Sequence, residues 1–130
     1  MDAEELASIP LLADLTPEQR AMVAEKLNER EVDVGTVLAR EGDYAYSLFF
    51  VVDGLAAAAH ETRLLTTLRP GDWFGEIGVL THSTRSANVV ALSRMRLLTL
   101  MAWDFSDLMH ELPALGTRIR ERAMERLERD

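Results

Sequence analysis

Between Trp73 and Ala91 the sequence runs WFGEIGVLTHSTRSANVVA. It combines a glycine, an acid and a short apolar run (Gly75, Glu76, Ile77, Gly78, Val79, Leu80) with an arginine and small or polar residues (Arg85, Ser86, Ala87, Asn88). The pattern predicts a short helix entered through glycine, a polar loop over Thr81 to Thr84, and a strand that begins at Arg85. A helix N-terminus presents unpaired backbone N–H groups and a partial positive charge, which suits a phosphate. Arginine adds a planar fork of donors that can grip two phosphate oxygens. Glu76 cannot hold an anion, so its natural partner is a sugar hydroxyl. A buried structural pair between Glu76 and Arg85 in a barrel corner would use the same two residues.

This segment resembles the phosphate-binding cassette of the cyclic-nucleotide-binding domain family, whose pattern is F-G-E-[IL]-[AG]-x-L, a short loop, then R-[STA]-A-x-V-x-A. Phe74, Gly75, Glu76, Ile77, Gly78, Leu80, Arg85, Ser86, Ala87, Val89 and Ala91 fit it. A lone G-E or R-S-A would mean little, but both halves occur in order with a short loop between them. The resemblance implies a mainly β fold with flanking helices. Its core would be an eight-stranded jelly roll, with N-terminal helices before it and hinge and lid helices after it. It also implies a ligand site of Phe74, Gly75, Glu76, Ile77, Gly78, Val79, Arg85, Ser86 and Ala87. Arg85 would pair with the cyclic phosphate and Glu76 would accept from the ribose 2′-OH. Family members that prefer the guanine ligand often carry threonine at the position of Ser86, whereas alanine favours adenine. Serine leaves both open, and the reading favours cyclic AMP over cyclic GMP.

The elements that must position these residues can be followed along the chain. Asp2 to Ala7 is helix-compatible, and Ile9-Pro10-Leu11-Leu12 breaks that helix. Thr16-Pro17-Glu18-Gln19 is a helix start, with Thr16 as cap, proline in the first position and Gln19 three residues on. That helix is expected to run to about Asn28, with Met22, Val23 and Leu27 inward. From Glu31 the period changes to two, with Val32 and Val34 alternating against acids. Val37-Leu38 is a second short strand, and Leu48 to Val52 is apolar on both faces, as a covered central strand would be. Asp53-Gly54 signals a hairpin into a strand over Leu55 to His60. Leu64 to Leu68 makes another strand, and Pro70-Gly71 fits a type II turn. Short strands between regular glycine turns indicate a sandwich or barrel.

Arg94 to Leu100 is the last strand, and Ala102 to Glu111 a helix on which Trp103, Phe105, Leu108 and Met109 can cluster. Pro113 separates it from a final helix, Ala114 to about Arg129, where Leu115, Ile119, Ala123 and Leu127 form an apolar stripe at steps of four. The stripe suits packing onto the barrel, a dimer coiled coil or a ligand lid. The expected organisation is one domain over residues 1–130: a helical segment over 1–30, the β jelly roll over 31–101 with the cassette at 74–91, and helices over 102–130.

Composition removes other chemistries. The chain has 130 residues, no cysteine and a net charge of −8. Disulfides, thiolate metal sites, cysteine nucleophiles and cysteine-held iron–sulfur clusters are therefore excluded. The acidic balance argues against a nucleic-acid surface, so an anionic ligand needs a local site. His60, His82 and His110 lack the close spacing of a cupin-type metal site. Ser83, Thr84 and Ser86 have no histidine and carboxylate at triad spacing, and no Walker-type loop is present. The chain is not expected to be an enzyme or to bind a metal. No membrane-length apolar run and no secretory signal occur, which points to the cytoplasm and to no membrane contact by this fragment. The reading is a regulatory sensor domain that passes binding on through its C-terminal helices. Two alternatives stay open: a degenerate member that docks or dimerises without nucleotide, and the sensor half of a catabolite-activator-type transcription regulator. The C-terminal helix is the candidate surface for a homodimer or an effector domain.

Overall fold

The computed structural model describes residues 3–75 and 84–129. The chain opens with a 3-10 turn at Ala3–Ser8 and two helices, α1 (Pro10–Ala13) and α2 (Pro17–Lys26). Pro10, expected to break structure, instead starts α1, because its fixed φ and missing N–H suit a first helical position. At α2 the Thr16 hydroxyl accepts from the Gln19 N–H at 3.1 Å, and the Gln19 side chain accepts from the Thr16 N–H at 2.9 Å. Such a cap contributes about 1 kcal/mol.

Eight strands follow among the described residues: β1 (Leu27–Val32), β2 (Val37–Ala39), β3 (Ser47–Asp53), β4 (Ala56–His60), β5 (Arg63–Leu68), β6 (Trp73–Phe74), β7 (Asn88–Ala91) and β8 (Met95–Met101). They form two antiparallel four-stranded sheets, in the orders β1-β8-β3-β6 and β2-β7-β4-β5. Helices α3 (Ala102–Glu111) and α4 (Pro113–Arg129) complete the chain. The architecture is the jelly roll with flanking helices.

Helix α2 ends two residues before Asn28, and β1 takes Leu27 to Val32 into six-residue register with β8, from Leu27 opposite Leu100 to Val32 opposite Met95. Cross-strand pairing overrides local helix propensity here. Val34, expected to alternate inward with Val32, lies beyond the strand and is exposed.

The hairpin expected at Asp53-Gly54 does not form, because β3 and β4 lie in different sheets. Gly54 turns the chain from one sheet to the other at φ 90°. A Cβ there would stand 2.3 Å from the Arg94 carbonyl oxygen, so only glycine fits beneath the return from β7 to β8. The Leu55 N–H donates to Ser93 Oγ at 3.0 Å, and the Leu92 N–H donates to the Leu55 carbonyl at 2.9 Å. The chain has the turn residues of a hairpin, but their neighbours make the turn a corner between sheets. At Pro70-Gly71 the turn forms as expected, with the Asp72 N–H donating to the Arg69 carbonyl at 2.9 Å.

The strand period sorts side chains into two cores. Phe49 and Val51 of β3, Phe74 of β6, Val89 of β7 and Leu97 of β8 meet between the sheets. Leu48, Phe50, Trp73, Leu98 and Leu100 point the other way, onto Leu12, Val23, Phe105, Leu108, Leu115 and Ile119 of the helices. The first sheet is thus covered on both faces, which is why β3 is apolar at every position from Leu48 to Val51. Trp103, expected in the α3 cluster, is 61% exposed, while Phe105 and Leu108 are buried. One helical face holds only a stripe, and Trp103 falls off it. On α4, Leu115, Ile119 and Ala123 are buried. The Leu127 side chain lies outside the described residues.

Candidate functional site

Among the described residues, Arg85 is the charged residue that the fold draws inside. It is 9% exposed. Its guanidinium donates through Nη2 to the Ser47 carbonyl at 2.8 Å and through Nη1 to the Gly75 carbonyl at 3.2 Å. The guanidinium carbon lies 5.6 Å from the centroid of the Phe49 ring. Carbonyl dipoles and an aromatic face both favour a desolvated cation.

Arg85 does not begin a strand as expected, since β7 starts at Asn88. Its backbone is fixed instead by the turn before β3. The Arg85 N–H donates to the Asp43 carbonyl at 2.7 Å, and the Gly42 N–H donates to the Arg85 carbonyl at 3.0 Å. A single bridge pairs Tyr44 with Thr84 alongside. The Glu41 N–H donates to Asn88 Oδ1 at 2.8 Å, tying the same turn to the start of β7. Ladder hydrogen bonds to a turn have replaced strand pairing at this point.

Gly75 is required by the arginine. Its φ is 93°, and a Cβ there would lie 2.5 Å from Arg85 Nη1. Phe74 precedes it in register with Phe49, and the two rings stack 4.7 Å apart at 8°. The structure therefore brings together Phe74, Gly75 and Arg85 from the expected site. Ser86 and Ala87 follow Arg85 directly, with Ser86 exposed. Glu76, Ile77, Gly78 and Val79 lie outside the described residues, as does His82.

Ser47, Phe49 and the Glu41–Asp43 turn were missed as site residues. Ser47 and Asp43 act through backbone carbonyls, which leave no mark on side-chain type. Phe49 was legible only as apolar. One carbonyl upstream of Ser47, the Tyr46 oxygen accepts from the Ala102 N–H at 2.8 Å, at the first residue of α3. The entry to β3 thus touches Arg85 and the C-terminal helices through adjacent peptide groups.

The final helix is anchored on the helix side of the first sheet. Its buried stripe packs into the helix-side core, and Arg118 Nη1 donates to the Leu11 carbonyl at 3.3 Å and stands 3.7 Å from Asp14 Oδ2. His60 Nδ1 lies 2.5 Å from Glu41 Oε1, and His110 Nδ1 lies 3.1 Å from the Ser106 carbonyl. Among the described residues no three histidines or acids gather as metal ligands, and no helix is long and apolar enough to cross a membrane.

The family model described as cyclic nucleotide-binding domain matches residues 29–111. A cAMP-dependent protein kinase regulatory subunit of Hypocrea atroviridis is 31% identical over 115 residues, 88% of this chain and 25% of that protein. A cyclic nucleotide-gated potassium channel of Mesorhizobium japonicum is 34% identical over 121 residues, 93% of this chain and 34% of that protein. The structure of Thermus thermophilus catabolite activator protein superposes with a TM-score of 0.83 at 29% identity, covering 92% of this chain and 59% of that one. The chain spans a quarter to a third of the length of these two curated relatives.

Proposed function

The chain belongs to the cyclic nucleotide-binding domain family, and we propose from that premise that it is a regulatory module taking cyclic AMP at Arg85. The observation that carries this reading is a buried guanidinium between the sheets, donating to the Gly75 and Ser47 carbonyls. A cyclic phosphate brings one negative charge, which suits such a cation. The backbone N–H groups of Gly75 to Ile77 and of Ser86 and Ala87 complete the cradle. The Glu76 carboxylate accepts from the ribose 2′-OH, and Ser86 adds a hydroxyl to the phosphate or to the purine. The relative from Hypocrea atroviridis bears cyclic AMP in its name, which supports the adenine ligand over cyclic GMP. The module acts by binding and carries out no reaction of its own. We extend the domain to the whole chain, since α1, α2, α3 and α4 all contribute to the core over the first sheet. A cytoplasmic setting goes with this reading.

Binding is transmitted through the C-terminal helices. Phosphate capture by Arg85 shifts the entry to β3, where the Tyr46 carbonyl holds the first N–H of α3. Helices α3 and α4 border a small apolar crevice lined by Leu12, Phe50, Leu108, Met109 and Ile119. The change is a population shift, limited by the ligand's differential affinity for the two arrangements.

A second reading has one observation in its favour. Two backbone carbonyls already engage Arg85, as they would a purely structural arginine in a docking or dimerisation domain. Calorimetric titration with cyclic AMP and cyclic GMP side by side decides between the two. Saturable binding, tighter for cyclic AMP and weakened for its 2′-deoxy analogue, is the expected result. No heat with either nucleotide would overturn the first reading and favour the second.

A further inference from the structure

We propose that Phe49 is a positioning residue for Arg85: its ring, backed by Phe74, is the floor that sets where the guanidinium stands before a phosphate arrives. This rests on Arg85 being the phosphate contact. Phe49 faces the inter-sheet core because β3 alternates, with Leu48 and Phe50 turned to the helices. Directly opposite on β6 is Phe74. The two rings stack at 4.7 Å and 8°, so neither can tip without the other. The guanidinium carbon lies 5.6 Å from the Phe49 centroid, inside the range where a ring face attracts a cation. The Ser47 and Gly75 carbonyls fix two of its nitrogens. Two hydrogen bonds define positions along the guanidinium edge, and the ring limits its travel across the pocket. Glycine at 75 leaves the space that Nη1 fills.

An aliphatic side chain could fill the core at this position, but it has no negative ring face. The two contributions separate in an isosteric series. Phe49 is replaced by monofluoro-, difluoro- and pentafluorophenylalanine, which keep the shape and progressively withdraw the ring's negative face. Phe49→Tyr and Phe49→Leu accompany them. Cyclic AMP affinity is expected to fall stepwise along the series by about thirtyfold in total, the size of a desolvated cation–ring contact, with melting temperature nearly constant. Phe49→Tyr is expected to keep wild-type affinity and Phe49→Leu to lose it. The nitrogen-bound proton resonances of Arg85 give a second readout in the nucleotide-free protein. They are expected to carry a ring-current shift that Phe49→Leu abolishes and Phe49→Tyr restores. Flat affinity across the fluorinated series, or Arg85 resonances indifferent to the ring, would overturn the proposal. If the wild type binds no cyclic nucleotide, the functional reading falls, and the Arg85 resonances still decide whether Phe49 seats the guanidinium.

Discussion

Along β3 the side chains enter two different environments on alternate residues. Leu48 and Phe50 join an apolar layer shared with the helices, where Leu12, Leu108 and Ile119 close over them. Phe49 and Val51 join the space between the sheets, which is equally buried but also admits Arg85. Both faces exclude water, yet only one carries a charge. The helix face gains stability from burial alone, at roughly 25 cal/mol per Å². The inter-sheet face accepts the cost of desolvating a cation and offsets it with carbonyl dipoles and a ring. A strand with period two can therefore hold a binding site and a structural core back to back, one residue apart.

The sharpest way to break that contrast is Arg85→Ala. Charge-assisted hydrogen bonds are worth about 1.5–3 kcal/mol each, so losing two or more should weaken cyclic AMP by over about a hundredfold by that measure. The barrel should stay folded but lose some stability, since the Ser47 and Gly75 carbonyls are left without their donor, so affinity is read on the folded fraction. A variant that binds as tightly as wild type in calorimetry would remove Arg85 from the site. On the opposite face, Phe50→Ala should cost about 3–5 kcal/mol of stability, the usual range for truncating a buried aromatic. The folded fraction should keep its affinity. If Phe50→Ala instead left the denaturation midpoint intact and reduced binding, the two faces would not be separable.

Gly75 and Gly54 test the same division at the backbone. Both hold positive φ, and both would carry a Cβ into a neighbour. Gly75→Ala presses on Arg85 Nη1, whereas Gly54→Ala presses on the Arg94 carbonyl where the chain changes sheets. Each forced left-handed residue costs roughly 1–3 kcal/mol. Gly75→Ala should lower cyclic AMP affinity out of proportion to its stability loss. Gly54→Ala should lower stability only. Equal ratios of the two losses in both variants would show that neither glycine is tied to the arginine in particular.

How much of this was legible beforehand follows the same division. The helix-side core was legible in part: Val23, Phe105, Leu108, Leu115 and Ile119 through helix spacing, and Leu48 and Phe50 only as members of an apolar run that does not say which residue faces which way; all are buried. The arginine and its glycine were legible because their types and order are unusual. The seat was not. The Ser47 and Asp43 carbonyls belong to residues whose side chains take no part, and any residue supplies a carbonyl. The corner at Gly54 misled because Asp-Gly suits a hairpin equally well, and only the long-range return of β7 and β8 decides which turn forms. The start of β1 was hidden for a like reason, since Leu27 to Arg30 has no alternation and becomes a strand only beside β8.

The smallest expected effect comes from an arginine on the outside of the first sheet, Arg96, and it sharpens the contrast with Arg85. Arg96 lies on β8 at the sheet edge shared with β1, where Nη2 pairs with the carboxylates of Glu29 and, at 3.3 Å, Glu5. Its carboxylate partners are in contact with solvent, whereas Arg85 is buried. The hydrogen bond from Arg96 holds the Glu29 carboxyl below the usual carboxylate range, and the same bond raises Arg96. A carboxylate with a depressed folded-state pKa contributes stability that is fully present above its unfolded value, near 4.3. That contribution is lost as the pH falls through the lower folded value. Glu29→Gln should therefore flatten the acid limb of the stability profile below about pH 4.5. At pH 7 it should move the melting temperature by only about a degree, as befits a solvated pair. A fall of many degrees at neutral pH on Glu29→Gln would mean that the β1 edge depends on its ion pair, and that exposed and buried arginines in this fold do comparable structural work.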